Sequence, residues 1–206
     1  MVFRTLHQLD RSAGDGWWHI SVGKDTLITA PTGSGKTLTA FLWSIDHLVR
    51  RSATGDFGDR TSVVYISPFK ALGNDIQKNL LEPLADIMRL AQGGGDCFPE
   101  IRVAVRSGDP PARERQLMVH RPPHIPITTP ESFYILLTAA RSRQILKRAK
   151  TIIVDGIRAV AGDKRGVHLA LRCSGFSGAW KHGAKFASAA LPTASSENNT
   201  RCPRPW

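Results

Sequence analysis

Apolar residues along the chain fall into two alternating patterns. Short β-branched runs read as buried strands at Thr26–Thr29, Ser62–Ser67, Ile101–Arg106, Ile125–Thr128 and Thr151–Asp155. Between them, helical spacing recurs. It runs through Leu38–Leu48, then through Leu72, Ile76, Leu80, Leu84, Ile87 and Leu90, with Pro83 expected to kink that second helix. Further helices are predicted over Ala112–Val119 and Ser132–Thr138, the latter opened by Thr129-Pro130-Glu131. Strand–helix alternation of this kind implies an α/β fold, a parallel sheet covered by helices on both faces. Pro126 sits awkwardly in that scheme, because it has no N–H for a strand that should be central.

The two ends lack either period. Asp10–Gly16 is polar and turn-rich, and Trp17, Trp18 and Ile20 after it suggest an apolar lid over the first strand. A stacking platform for a base is the alternative use of such aromatics. From Arg172 onward no period is visible, and Ser188–Trp206 is rich in Ser, Ala, Asn and Pro, so a disordered or irregular C-terminal tail is expected. The expected division is a poorly defined segment over 1–16, one domain over 17–171 and the tail over 172–206, the last reading like a stretch out of frame.

Chemistry enters at Ala30-Pro-Thr-Gly-Ser-Gly-Lys-Thr37, which lies between the first strand and the first helix. A strand, a glycine-rich loop and a helix opening on Lys-Thr form the context of a phosphate-binding P-loop. Glycines permit a tight turn whose N–H groups face phosphate oxygens, and the helix N-terminus favours anions. Thr32, Gly33, Ser34, Gly35, Lys36 and Thr37 are therefore the candidate nucleotide-binding residues. Lys36 would reach the terminal phosphates, and Thr37 would meet Mg²⁺. The rival reading, a small-residue turn before an ordinary core helix, does not account for the Lys-Thr pair. Ser67-Pro68, Gly108, Thr128-Thr129 and Asp155 all fall at carboxyl ends of predicted strands, where parallel sheets bind ligands.

Net charge changes the picture of partners. The 206 residues carry +11 and a pI near 10.2, which favours a polyanion such as nucleic acid; a merely soluble basic surface is the alternative. Cys97, Cys173 and Cys202 are three, widely spaced and without metal-ligand spacing, which argues against a disulfide framework. With no membrane-length apolar run and no signal-peptide core, a cytoplasmic location is the default, with no membrane partner.

Several stretches together resemble superfamily 2 helicases. Ala30–Thr37 resembles their motif I, Ser67-Pro-Phe-Lys-Ala-Leu72 their motif Ia, Thr128-Thr-Pro-Glu-Ser132 their motif Ib, and Arg106-Ser-Gly-Asp109 the loop between the last two. Ala159–Leu171 is similar to the segment after motif II in the large helicase-related (Lhr) type. The resemblance spans roughly Trp17 to Leu171 and implies a first RecA-like motor domain. It further implies ATP and Mg²⁺ as cofactors and single-stranded nucleic acid as partner, DNA before RNA. By position, Lys36 and Asp155 would be catalytic, and Thr37 and Asp155 would hold Mg²⁺. Ser67, Pro68, Lys70, Gly108, Thr128 and Thr129 would touch the nucleic-acid backbone, making sequence-neutral contacts. For Ser67 or Thr128 alone, a strand-ending cap serves equally well.

The departures from the family pattern matter as much. Its motif II reads Asp-Glu-x-His, whereas this chain has Asp155-Gly156-Ile157-Arg158. Gly156 replaces the carboxylate that orients the attacking water, so hydrolysis should fall by orders of magnitude while binding survives. The glutamine that reads adenine falls at Ala13, and motif III and a second motor domain are not found. Two further readings stay open: a non-enzymatic basic nucleic-acid-binding module with a vestigial P-loop, and the non-functional product of a decayed gene. A different P-loop enzyme such as a kinase does not explain Ser67–Leu72 or Thr128–Ser132.

Overall fold

The computed structural model describes residues 11–22, 24–29, 36–67, 76, 80–93, 100–106, 116, 118–156 and 185–190. Among them run, in order, α1 (Arg11–Ser21), β1 (Thr26–Thr29), α2 (Lys36–Ala53), β2 (Val63–Ile66), α3 (Glu82–Gly93), β3 (Val103–Arg106), β4 (Ile125–Thr128), α4 (Pro130–Thr138), α5 (Ala140–Leu146), β5 (Thr151–Asp155) and β6 (Lys185–Ala190). The strands make one sheet in the order β1-β6-β5-β2-β4-β3, with every pairing parallel.

Strand alternation sorts the core onto two faces. Val63 and Tyr65 of β2 pack with Ile125, Ile127 and Ile153 beneath α2 and α3, which supply Phe41, Ile45, Leu84 and Ile87. Val64 and Ile66 pack on the opposite face with Ile152 and Val154, against Phe133, Leu136 and Leu137 of α4 and Leu146 of α5. The helices thus cover both faces, as the runs of β-branched residues predict. No described helix is long and apolar enough to cross a membrane.

Four expectations are corrected or sharpened. Residues 10–16, read as a turn, lie largely within α1, whose Ile20 packs with Ile28 of β1 and Trp43 of α2, Trp17 resting on them. The approach is close: a Cβ on Gly16 would stand 2.5 Å from Ile28 Cδ1, so that glycine serves packing rather than turning. Second, Lys185–Ala190, placed by its composition in an irregular tail, pairs with β1 on one side and β5 on the other. Strand pairing in the sheet outweighs a small-residue composition that carries little period of its own. Third, Pro83 stands as the second residue of α3 directly after a π-turn at Leu80–Leu81, which widens the helical backbone where the proline falls.

Fourth, Pro126 fits an interior strand. It lies in register with Ala104 of β3, and the ladder of β4 with β2 begins only at Ile127. The missing donor therefore shortens one ladder without excluding the strand, a cost of about one hydrogen bond, ~1 kcal/mol. The segment Arg141–Lys150, notable in the sequence only for its charge, contains most of α5.

His124, just before β4, is buried and neutral. Its Nδ1 accepts the Arg102 N–H at 3.0 Å, and its ring lies 4.4 Å from that of Phe57. Burial, then the Arg102 cation, push its pKa down to about 4, with the Gly58 backbone, Asp59 and Glu100 acting in the opposite sense. An unfolded histidine titrates near 6.5. Between these values the unfolded chain takes up a proton that the folded one refuses, so stability falls as pH drops from about 6.5 to about 4. The expected loss, allowing for solvent screening, is about 2 kcal/mol. Urea titrations at pH 7 and pH 4.5 measure it. His124→Asn, which keeps an acceptor, should flatten the dependence; an unchanged slope would assign it elsewhere. Asp56, held down to about 2 by its hydrogen bonds from Arg60 and Arg51, contributes its own loss only below the ordinary carboxylate range.

Candidate functional site

The candidate site forms where the first turn of α2 meets the carboxyl end of β5. In β5, Ile153 and Asp155 share one face, because side chains alternate along a strand. That face is the one α2 covers, and Tyr65 of β2 stands opposite Ile153 in register. In α2, Thr37 and Phe41 are one turn apart on one side. Phe41 packs on the Tyr65 ring at 4.6 Å, and Thr37 reaches Asp155.

The Asp155 carboxylate is held on both oxygens. Thr37 donates its hydroxyl proton to Oδ2 at 3.1 Å, Tyr65 Oη donates to the same oxygen at 2.6 Å, and the Gly156 N–H donates to Oδ1 at 2.8 Å. Thr37 and Asp155 are 118 residues apart in the chain. Having given its proton to Asp155, the Thr37 oxygen keeps its lone pairs for a cation. Two hard oxygen donors at one point suit Mg²⁺, which takes few protein ligands and completes its shell with water and phosphate. Lys36, the first residue of α2, is buried; burial lowers its pKa, and the Asp155 carboxylate acts against that shift. Among the described residues no three His, Cys, Asp or Glu side chains gather into a separate cation site.

Gly156 adopts φ +62°, the left-handed region. An L-residue there costs roughly 1–2 kcal/mol. The glycine at the motif II glutamate position is thus matched to a backbone turn that a glutamate would strain.

The strand ends beyond this point carry the predicted nucleic-acid residues. Ser67 donates its N–H to Thr128 O at 3.0 Å, which brings these two together. Ser67 is 1% exposed and its Oγ has no partner among the described residues. Thr128 is buried too, and among the described residues its Oγ1 makes one long contact, 3.4 Å to Thr129 O. Thr129 differs: its Oγ1 accepts the Ser132 N–H at 3.2 Å and caps α4. Its side chain is committed to starting the helix. Thr32, Gly33, Ser34, Gly35, Pro68, Lys70 and Gly108 lie outside the described residues. Trp17 packs inward, as an apolar lid would, while Trp18 is 65% exposed; Ala13 lies on α1.

For two residues of the site the sequence points to no individual role. Tyr65 reads there as one more apolar strand residue. Its signal is a hydroxyl in a fully buried strand, which demands a partner. Arg106 closes β3 in register with Thr128 and is buried, a cation at the end of the sheet where the predicted contacts lie.

Comparison with known proteins places these features. The chain matches the DEAD/DEAH box helicase family over residues 16–197, a span that includes β6. It is 50% identical over 157 residues to the Lhr helicase/probable uracil glycosylase of Mycolicibacterium smegmatis, covering 76% of this chain and 10% of that protein. It is 51% identical over 149 residues to the ATP-dependent helicase Lhr-Core of Methanothermobacter thermautotrophicus, covering 72% of this chain and 17% of the relative. The structure of Mycobacterium smegmatis helicase Lhr bound to ssDNA and AMP-PNP superimposes with a TM-score of 0.81 at 42% identity, over 93% of this chain and 24% of that one. The chain thus spans between a tenth and a fifth of the length of these two curated relatives.

Proposed function

Because the chain belongs to the DEAD/DEAH box helicase family, we propose that it is the first, nucleotide-binding motor domain of an Lhr-type ATP-dependent helicase. In this reading it binds Mg-ATP and single-stranded nucleic acid, and hydrolyses ATP poorly. The observation that carries it is the Thr37–Asp155 hydrogen bond beside the buried Lys36 at the carboxyl edge of a parallel sheet. Lys36 would neutralise the terminal phosphates. Thr37 and, through water, Asp155 would hold Mg²⁺, which shields phosphate charge during phosphoryl transfer. Gly156 offers no carboxylate to orient water, so binding and hydrolysis are uncoupled in this domain.

Ser67 and Thr128, with Pro68, Lys70, Gly108 and the Thr129 backbone, would meet the sugar–phosphate chain. The Ser67 Oγ, unpartnered among the described residues, supports that assignment, since a buried hydroxyl left without an acceptor or donor is costly. The Mycobacterium smegmatis relative was solved with ssDNA, which favours DNA over RNA here. The place of action would be the cytoplasm.

The test is thermal unfolding with and without Mg-ATP. Ligand at a hundred times its Kd stabilises by about 2.7 kcal/mol, and Lys36→Ala should lose most of that response while keeping its ligand-free midpoint. Equal and absent responses in both proteins would refute the proposal. They would favour the second reading, a basic nucleic-acid-binding module with a vestigial loop, which Gly156 also suits; its mark is salt-dependent single-strand binding indifferent to ATP.

A further inference from the structure

Tyr65 brings a hydroxyl into a strand whose four residues are all buried and otherwise aliphatic. The ring is 1% exposed, walled by Phe41 at 4.6 Å and fixed by the register of β2 against β5. Its Oη lies 2.6 Å from Asp155 Oδ2, closer than the 3.1 Å of Thr37 to the same atom. That distance is typical of a hydroxyl donating to a carboxylate, a bond about twice as strong as one between neutral groups. The core thereby fixes the orientation of the Asp155 carboxylate, whether or not anything is bound at the surface.

We propose that Tyr65 is a positioning residue for Asp155, and that its hydroxyl sets the affinity of the domain for the divalent cation that accompanies the nucleotide. The proposal rests on the function proposed above. With the Tyr65 donor in place, Oδ2 is anchored from β2 and Oδ1 from the Gly156 N–H, so the carboxylate cannot turn about its own bond without breaking one of them. The Thr37 hydroxyl is then met by an acceptor already in position, and its lone pairs stay directed outward. Without Tyr65 Oη, Oδ2 would keep only the longer Thr37 contact, and the carboxylate would sample other rotamers. Partners that orient a metal-binding carboxylate in this way commonly change metal affinity by about 10–100-fold. Because Asp155 is expected to act through water, the lower end applies.

Tyr65→Phe keeps the ring and its contact with Phe41 and removes only the oxygen. The full chain, the Tyr65→Phe and Asp155→Ala variants and the double variant would be titrated with Mg²⁺ at fixed ATP, followed by thermal unfolding. ATP binding in EDTA would be read in parallel, and Mn²⁺ would replace Mg²⁺ for a direct reading of bound metal by electron paramagnetic resonance. The expected result is about a tenfold rise in the free Mg²⁺ needed for half the stabilisation in Tyr65→Phe. ATP affinity in EDTA should be unchanged, and the Tyr65 substitution should have no further effect in the Asp155→Ala background. A merely structural tyrosine would instead lower ATP affinity in EDTA and the ligand-free midpoint together. An unchanged Mg²⁺ midpoint in a chain that does respond to Mg-ATP would overturn this inference and leave the proposed function standing. A shift that persists without Asp155 would overturn it too. A wild-type chain with no Mg²⁺-dependent response would overturn both.

Discussion

Gly156→Glu, in this chain fused to the second motor domain of a curated relative, is expected to raise ATP hydrolysis by about 10²–10⁴-fold over the same fusion with glycine, because a carboxylate returns to orient the attacking water. That gain corresponds to roughly 3–5 kcal/mol of barrier. The backbone opposes it with a smaller cost. Gly156 stands at φ +62° and gives its N–H to Asp155 Oδ1. A glutamate would hold that conformation at a cost of about 1–2 kcal/mol, or turn to negative φ and lose the hydrogen bond. The catalytic gain should prevail for rate, while the strain should emerge as a lower unfolding midpoint. Steady-state hydrolysis with single-stranded DNA present, together with urea unfolding, measures both. A stable, nucleotide-binding fusion with no gain in rate would show that the left-handed turn, rather than the missing carboxylate alone, disables this site.

The second large effect is expected from Phe41→Ala. Phe41 is fully buried between the sheet and α2 and forms the wall of Tyr65. Truncating a buried phenylalanine costs about 3–5 kcal/mol, a large share of the roughly 5–15 kcal/mol that holds a typical domain together. Equilibrium urea unfolding should show that loss. Any folded fraction should also bind Mg-ATP more weakly, since the Tyr65 ring would lose the contact that aims its hydroxyl at Asp155. Trp18→Ala, at a 65% exposed position on α1, is the contrasting case and should stay within about 0.5 kcal/mol of the parent. Comparable losses in both variants would mean that the core is not organised around the α2 face of the sheet.

Much of the fold is legible in the sequence because period and chemistry agree. Thr26–Thr29, Val63–Ile66, Ile125–Thr128 and Thr151–Asp155 are strands where β-branched runs place them, and the Lys36-Thr37 pair opens a helix as its motif predicts. Their parallel orientation follows from alternation, whereas the order β1-β6-β5-β2-β4-β3 does not. The elements that escape such reading are those whose sequence carries no strong period. Arg11–Ser21 contains two glycines and three acidic or basic residues, yet docks as α1 because Gly16 lets it approach Ile28 closely. Lys185–Ala190 is half alanine, and it becomes a strand through pairing with β1 and β5, long-range contacts that no local pattern reports. Thr129 groups with Ser67 and Thr128 by position in the chain, and although Thr129-Pro130-Glu131 marks a helix start, the geometry shows that its hydroxyl is engaged as the cap of α4.

By itself the sequence determined the residue types from which the site is read: a glycine-rich stretch ending in Lys-Thr, an acidic strand end and a glycine at the place of a glutamate are statements about residue types and spacing. Tertiary structure decided how those pieces act on one another. Thr37 and Asp155 are 118 residues apart, and whether their oxygens meet depends on how α2 crosses the sheet. Tyr65 is one aromatic in a buried strand until the register with β5 puts its hydroxyl on Asp155. Gly156 is a missing carboxylate in the sequence and a left-handed turn in the fold. The physical reason is the same each time. Composition fixes which groups a site can contain, whereas distance and backbone dihedral, which set hydrogen bonding and strain, exist only once the strands have paired.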